Sequence, residues 1–254
     1  MEQSTSAKKR YGALDSLRGL TLISMILYHA MWDLVYLFDV SAPWYESKGA
    51  MIWQQSICWT FILLSGFCHS MGRNPLRRGL IVFSASLLIT LVTLILMPDE
   101  RIVFGVLTLI GVSMLLTIPV GKLCGRIPPW LGFFASFLLF LLMKTVSSRR
   151  LVVLGMVIAR LPDALYANTA TAFFGFPSYD FYSTDYFPLL PWYFLYLTGF
   201  FLYRIAKKHD LFRFLYRPSI PVLSFMGKHS LPIYMIHQPL IYVLLTAASM
   251  VGIL

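Results

Sequence analysis

Seven stretches of this chain are long and apolar enough to cross a membrane, and this feature limits the fold more than any other. A bilayer core needs about 20 apolar residues in a helix. Only 13% of the residues are charged, against about 25% in soluble domains, and the mean hydropathy is +0.72. We therefore predict an all-α, polytopic transmembrane helix bundle of about seven to eight spans. The apolar segments lie at about 17–38, 50–71, 80–97, 103–120, 129–145, 187–206 and 231–252.

The basic residues indicate the orientation of these spans. With the N-terminus in the cytoplasm, 15 of the 21 Lys and Arg residues lie inside, as the positive-inside rule requires. They occupy four separate cytoplasmic segments, so the net charge of +10 indicates contact with a lipid surface and not with nucleic acid. We predict a cytoplasmic segment 1–12, no cleavable signal peptide, and a single transmembrane domain 13–254 in the cytoplasmic (inner) membrane. The inside residues are Lys8, Lys9, Arg10, Arg18, Arg73, Arg77, Arg78, Lys122, Arg126, Arg204, Lys207, Lys208, Arg213, Arg217 and Lys228.

One long connection, about 147–186, lies outside in this topology. It is rich in Pro, Gly, Tyr and Phe and carries too few charges for a disordered linker, so we expect an ordered loop that could hold an extracytoplasmic substrate. Within it, 151–158 is apolar but too short to span, and we interpret it as a surface or re-entrant piece. Three cysteines provide no disulfide framework, so we expect reduced, structural thiols.

The first span carries polar side chains on one face. At 100° per residue, His29 lies about 20° from Arg18 after three turns, Asp15 and Asp33 lie about 60° from Arg18, and Tyr36 returns to its direction. A charge near the bilayer centre costs at least about 2.5–3.5 kcal/mol on insertion scales, so this stripe should face the bundle interior or a water-filled cavity. Arg18 can pair with Asp15 one turn away.

His29 lies about 16 Å beyond Arg18 along the helix, close to the membrane midplane. Asp33, one turn further, can hydrogen-bond the imidazole and fix its tautomer, which is an arrangement typical of a general base. Two other interpretations stay open. His29 could be a structural hydrogen bonder between helices, or the His29–Asp33 pair could relay protons in a transporter or flippase.

Several motifs are similar to those of known membrane acyltransferases. The segment LDSLRGLTLISMILYHA resembles the first span of acyltransferase family 3, in which an Arg is followed, after ten residues, by a His. The segment GKHSLPIYMIHQPLIY resembles the last conserved segment of that family. The motifs YHAMWDL, SGFCHSMGRNPLRRGL, IVFGVLTLIG and TDYFPLLPWYFLYLTGFFLYR together resemble bacterial members of the heparan-α-glucosaminide N-acetyltransferase catalytic-domain family.

This resemblance implies transfer of an acetyl or other short acyl group from cytoplasmic acyl-CoA to an amine or hydroxyl, usually on a sugar, across the membrane. This chain also differs from members of the family at two points. The lysosomal enzymes carry Asn where this chain has His29, and their proposed catalytic His lies in an outer loop that has no His here. Relatives often read FGILH where this chain has Thr108 at the position of the His.

We expect His29, Asp33 and Arg18 to serve catalysis, with His29 as a general base or as the nucleophile of an acyl-imidazole. Arg73, Arg77 and Arg78 are candidates for the phosphates of acyl-CoA, although a short inside loop carries such charge in any case.

Three further residues are candidates for binding the acceptor: Asp185, His237 and Trp32. Asp185 could instead cap the helix that follows it, and His237 could stabilise a kink at Pro239. The five histidines show no metal-ligand spacing, so we expect no metal. The expected partners are acyl-CoA, a sugar or glycan acceptor and the bilayer, and a homodimer is compatible with the sequence.

Overall fold

The computed structural model describes residues 11–216, 220–252 and 254. The predicted cytoplasmic segment therefore lies outside the described residues up to position 10, as do Lys8, Lys9, Arg10 and Arg217. Eight α-helices occur in the described part: α1 (Gly12–Tyr36), α2 (Lys48–Cys68), α3 (Pro75–Leu96), α4 (Val106–Cys124), α5 (Pro129–Met143), α6 (Leu189–Lys208), α7 (Pro221–Lys228) and α8 (Ser230–Met250). Two strands, β1 (Arg150–Val153) and β2 (Met156–Arg160), form an antiparallel hairpin.

Seven helical segments of the described chain are long and apolar enough to span a membrane, which confirms the predicted all-α polytopic fold. The first begins at Gly12, five residues earlier than predicted, because its polar N-terminal turn is helical although it is not apolar. Proline occupies the first turn of α3, α5 and α7, where its missing N–H costs nothing. The spans are Gly12–Tyr36, Lys48–Met71, Pro75–Leu96, Val106–Cys124, Pro129–Ser148, Leu189–Lys208 and Ser230–Met250.

The chain divides into two compact units, Met1–Phe61 with Ala206–Leu254, and Ile62–Ile205. In the first unit, α1 packs against α7 and α8. Gly19 and Gly227 allow the close approach of α1 and α7, because a Cβ on either glycine would collide with backbone of the other helix. Leu22, Met25 and Ile57 form the buried core of this unit.

The loop between α1 and α2 folds back onto α1 through aromatic side chains. The Tyr45 hydroxyl donates to the Tyr28 carbonyl (3.0 Å), and the Trp53 indole donates to Ser24 Oγ (2.8 Å). Burial raises the pKa of the Tyr45 phenol, so this hydroxyl stays neutral and remains a donor. These bonds fix the outer half of α1 relative to the start of α2.

In the second unit, α6 contributes more buried residues than any other helix, among them Leu195, Tyr196 and Ile205. Ser136 of α5 and Thr198 of α6 share a buried hydrogen bond of 3.0 Å. Arg204, near the end of α6, donates to three carbonyls at the C-terminus of α4: those of Cys124 (2.5 Å), Gly125 (3.0 Å) and Ile127 (3.1 Å). A cation at that end also complements the helix dipole.

The long connection contains the β1–β2 hairpin and two short 3₁₀ segments, Asp163–Tyr166 and Thr169–Phe174. It is ordered by internal bonds such as that from the Tyr186 hydroxyl to the Ala172 carbonyl (2.6 Å). Burial raises the pKa of the Tyr186 phenol, which keeps this donor protonated. The apolar piece predicted at 151–158 is the hairpin itself. Cys58, Cys68 and Cys124 are free thiols.

Candidate active site

The polar stripe of α1 has two parts with different surroundings. At its start, Arg18 and Asp15 form the predicted ion pair (3.3 Å), and Arg18 also donates to the Gly227 carbonyl (3.4 Å). Arg18 thus joins α1 to α7. At its far end Tyr36 is 50% exposed and its ring lies near those of Trp32 and Tyr45. The buried part of the stripe ends at Asp33.

His29 and His237 lie against each other at the contact of α1 with α8. Their ring centroids are 4.9 Å apart and the rings meet edge to face. His29 Nδ1 bonds the Met25 carbonyl (2.9 Å), and His237 Nδ1 bonds the Tyr234 carbonyl. Because a carbonyl only accepts, Nδ1 carries the proton in both rings, and each neutral imidazole has its lone pair on Nε2. Among the described residues, the buried Nε2 of His237 has no hydrogen-bond partner.

Asp33 is fully buried, with 0% exposure, one helical turn after His29. Its Oδ1 accepts a hydrogen bond from Gln238 Nε2 at 2.5 Å. A carboxylate accepts only, so the amide nitrogen of Gln238 must face it and the amide oxygen must face away. That oxygen, Oε1, is buried and has no hydrogen-bond partner in the described structure.

The sequence analysis missed Gln238, which lies 205 positions from Asp33. The available signal was a second polar side chain beside His237 in an otherwise apolar span, since an intramembrane polar group needs a partner. Trp32, the other candidate on α1, is half-buried and packs against the Tyr36 ring, with centroids 5.4 Å apart. The structure therefore brings His29 against His237 and Asp33 against Gln238, and it leaves Arg18 about 16 Å along the helix from His29. The Nδ1 atom of His29, which we predicted to be oriented by Asp33, bonds the Met25 carbonyl.

The basic segment that runs from the loop after α2 into the first turn of α3, in the second unit, holds its three arginines in different surroundings. Arg73 and Arg77 are exposed, whereas Arg78 is half-buried. The NH1 group of Arg78 is buried and, within the described chain, makes no hydrogen bond. Arg78 is near enough to interact electrostatically with His69 and Tyr196. An unsatisfied guanidinium N–H is a ready donor for an anion.

Beside Arg78 lies a buried pair that the sequence analysis did not assign. His69 Nδ1 and the Tyr196 hydroxyl are 2.9 Å apart and both groups are buried. The available signal for His69 was the polarity of the second span, which also carries Gln54, Gln55 and Ser65. Tyr196 gave no signal, because one tyrosine among many aromatic residues of α6 cannot be distinguished by spacing.

Asp185 caps the N-terminus of α4. Its Oδ2 accepts from the backbone N–H of Val106 (3.0 Å), the first residue of α4. Asp185 reaches a helix that precedes it in the sequence, because the fold brings the loop before α6 onto the N-terminus of α4. A carboxylate at this position satisfies a free N–H and complements the helix dipole.

Among the described residues, no group of three or more His, Cys, Asp or Glu side chains could hold a metal ion. At the contact of α1 with α8, the first unit places the half-buried His29 and Gln238 beside the buried His237 and Asp33. Imidazole and carboxylate are the groups that proteins use for proton transfer and for nucleophilic attack on acyl groups.

The fold and this cluster define a multi-pass membrane protein that carries acid–base or nucleophilic groups inside its spanning helices. The family described as heparan-alpha-glucosaminide N-acetyltransferase, catalytic, matches residues 10–239. The chain belongs to this family, and it is therefore a membrane enzyme of the acetyltransferase kind. Neither the curated proteins nor the solved structures compared with the chain include a match.

Proposed function

We propose that the chain transfers an acetyl or other short acyl group from cytoplasmic acyl-CoA to an amine or hydroxyl of a sugar or glycan, across the cytoplasmic membrane. Membership of the acetyltransferase family supports the reaction type and favours an enzyme over a transporter or flippase. The observation that carries the proposal is the contact of the half-buried His29 with the buried His237, together with the buried Asp33 carboxylate that Gln238 bonds.

His29 Nε2 is the reactive atom in this proposal. As a general base, it takes the proton of the acceptor N–H or O–H group while the acceptor nitrogen or oxygen attacks the thioester carbonyl. CoA then leaves as a thiolate, which is protonated. As a nucleophile, Nε2 attacks the carbonyl itself, CoA thiolate leaves, and the acyl-imidazole passes its acyl group to the acceptor. Asp33 stabilises the positive charge that the ring acquires in either route.

The acceptor would be held by His237 and Gln238. The Nε2 atom of His237 and the Oε1 atom of Gln238 are both hydrogen-bond acceptors, and both are buried without a partner in the described structure. An unmade hydrogen bond of a buried polar group costs about 1–3 kcal/mol, so a ligand that supplies donors is favoured. An amine or hydroxyl supplies such donors, whereas the carbonyl oxygen of a thioester does not. Trp32 remains a candidate for the same ligand because it lies one turn from His29.

The phosphates of acyl-CoA would be bound at Arg78. Its buried NH1 lacks a hydrogen-bond partner among the described residues, whereas the guanidinium groups of Arg73 and Arg77 are in solvent, where ion pairs contribute little. We therefore assign the main donor contact to Arg78 and a minor, salt-screened one to the other two. Asp185 already has a structural use at α4, and we assign it no contact with the acceptor.

The test compares His29→Ala with His229→Ala in purified protein. His229 makes the same bond from Nδ1 to the carbonyl four residues earlier (2.9 Å to Phe225), but its side chain is exposed. Transfer from radiolabelled acetyl-CoA to a hexosamine is measured together with the thermal stabilisation that acetyl-CoA produces. His29→Ala should lower kcat by about 10²–10⁴-fold, the usual contribution of a general base.

CoA-dependent stabilisation should persist in His29→Ala, and His229→Ala should behave like the wild type. Transfer at the wild-type rate by a folded His29→Ala protein would refute the catalytic assignment. A burst of CoA release without acceptor, together with acyl label retained on the protein, would select the acyl-imidazole route over the general-base route.

A further inference from the structure

The β1–β2 hairpin exposes an apolar tip at the end of a membrane span. All residues from 151 to 159 are uncharged, and the tip residues are among the most exposed apolar side chains of the protein. Leu154 is 94% exposed, Met156 66%, Ile158 54% and Val157 49%. Single exposed apolar residues are ordinary, but a contiguous apolar surface marks a site of interaction.

Both faces of the second strand are open. Every residue of β2 is exposed, and side chains of a strand alternate between its two faces. A strand that covered a protein core would be apolar and buried on one face and polar on the other. Apolar side chains exposed on both faces suit an apolar medium that surrounds the strand.

The base of the hairpin is fixed close to the membrane boundary. The hairpin starts two residues after the end of the span Pro129–Ser148. The Val152 amide donates to Thr145 Oγ1 (3.0 Å) at the end of that span. Arg149 is held by an ion pair with Asp163 (2.8 Å) and by the ring of Tyr179, 3.7 Å from the guanidinium carbon. The hairpin therefore has a fixed origin at the level where the span leaves the hydrocarbon.

Its charges are placed for a lipid surface. Arg150 and Arg160 are opposite each other in the strand register, at the end of the hairpin away from the tip, and both are exposed. The turn begins at Leu154, four positions after Arg150, which corresponds to about 13 Å along the strand. Interfacial elements bury their apolar side about 5–10 Å into the headgroup–acyl boundary, so the hairpin is long enough to keep both guanidinium groups at phosphate level.

We propose that this hairpin inserts its tip, residues 154–158, into the lipid leaflet at which the span Pro129–Ser148 ends, with Arg150 and Arg160 on phospholipid phosphates. The hairpin then serves as an interfacial anchor for the connection between α5 and α6. This inference does not depend on the proposed reaction. It depends on the exposure of the tip and on its attachment to the end of a span.

Spin-label accessibility in phospholipid vesicles tests the proposal. In full-length protein with Cys58, Cys68 and Cys124 replaced by Ser, a label is attached at Leu154→Cys or at Tyr179→Cys. Tyr179 is the matched control, because it is 85% exposed in the same connection but lies on the anchored base. The ratio of collisions with oxygen to collisions with a water-soluble nickel chelate should be several-fold higher at 154 than at 179.

Introducing Met156→Asp should reduce the ratio at 154 towards the control, because a carboxylate at the tip opposes insertion. Equal nickel accessibility at 154 and 179 would place the tip in water and overturn the proposal. Spin–spin broadening at 154 that disappears on dilution with unlabelled protein would mean that strand edges of two copies pair, which would also overturn it. Far-UV circular dichroism and thermal unfolding monitor the folding of each labelled protein.

Discussion

Replacing Gly72 with Ala should weaken acyl-CoA binding without removing any charge. A Cβ at position 72 would occupy the place of the Arg78 guanidinium, whose NH1 and Cζ atoms are its nearest neighbours. The backbone of Gly72 has φ −84° and ψ 153°, which alanine adopts without strain. The atoms in the way belong to the end of a flexible side chain, so we expect Arg78 to move and the fold to remain intact.

The size of the effect follows from the contact that is lost. A hydrogen bond to a charged group contributes about 1.5–3 kcal/mol, which corresponds to a Kd raised about 10- to 150-fold. Removing the side chain in Arg78→Ala should produce an effect at the upper end of that range. Arg77→Ala should change Kd little, since Arg77 is exposed and its ion pairs are screened by salt.

The assay is calorimetric titration of purified protein with acetyl-CoA, carried out as a double-mutant cycle. If Gly72→Ala acts only through Arg78, then Gly72→Ala/Arg78→Ala should bind no more weakly than Arg78→Ala alone. Additive losses would show that position 72 acts by another route. An unchanged Kd in Arg78→Ala would refute the assignment of the donor phosphates to this residue.

Four further predictions concern other parts of the molecule. Asp33→Asn should lower kcat by about 10²–10³-fold while the Kd for acetyl-CoA is unchanged, and unimpaired turnover would contradict its role in stabilising an imidazolium. Gln238→Leu should destabilise the protein by about 1.5–3 kcal/mol in reversible unfolding, because the buried Asp33 carboxylate loses a donor; equal stability would argue against this bond. Arg204→Ala should lower Tm, since three carbonyls of the α4 terminus lose their partner, and a Tm equal to that of Lys207→Ala would count against it. A cysteine at Ser178 should react with an impermeant reagent only from the outside, and labelling from the cytoplasm would reverse the predicted topology.

The spanning helices could be predicted from the sequence because each satisfies its own backbone hydrogen bonds and each must be apolar over a fixed length. The helix α7 could not be predicted in this way, because its eight residues are too few to span a bilayer or to form a long apolar segment. Its position on α1 depends on Gly227 and Arg18, a contact made across more than 200 residues. The piece at 151–158 was recognised as apolar and too short to span, but its pairing as a hairpin required the structure.

The candidate site shows the same division between local and distant contacts. Helical spacing was enough to place Arg18, His29 and Asp33 on one face and to predict the Asp15–Arg18 pair, since these contacts lie within one helix. The partners of that face come from α8, and spacing within α1 carries no information on them. Asp185 illustrates the limit: its preference for a helix N-terminus was apparent, but which N-terminus it reaches is set by tertiary structure.

Both ends of α4 are bonded by side chains of opposite charge from the segment that contains α6. Asp185, just before α6, accepts from the first N–H of α4, and Arg204, near the end of α6, donates to its last carbonyls. With 19 residues, α4 is about 28 Å long, close to the thickness of the hydrocarbon core. Part of the terminal hydrogen bonding of this span is thus supplied by protein side chains and not by water or headgroups. The two contacts also attach α4 to the same segment at both of its ends, which opposes sliding of α4 along α6 within the membrane.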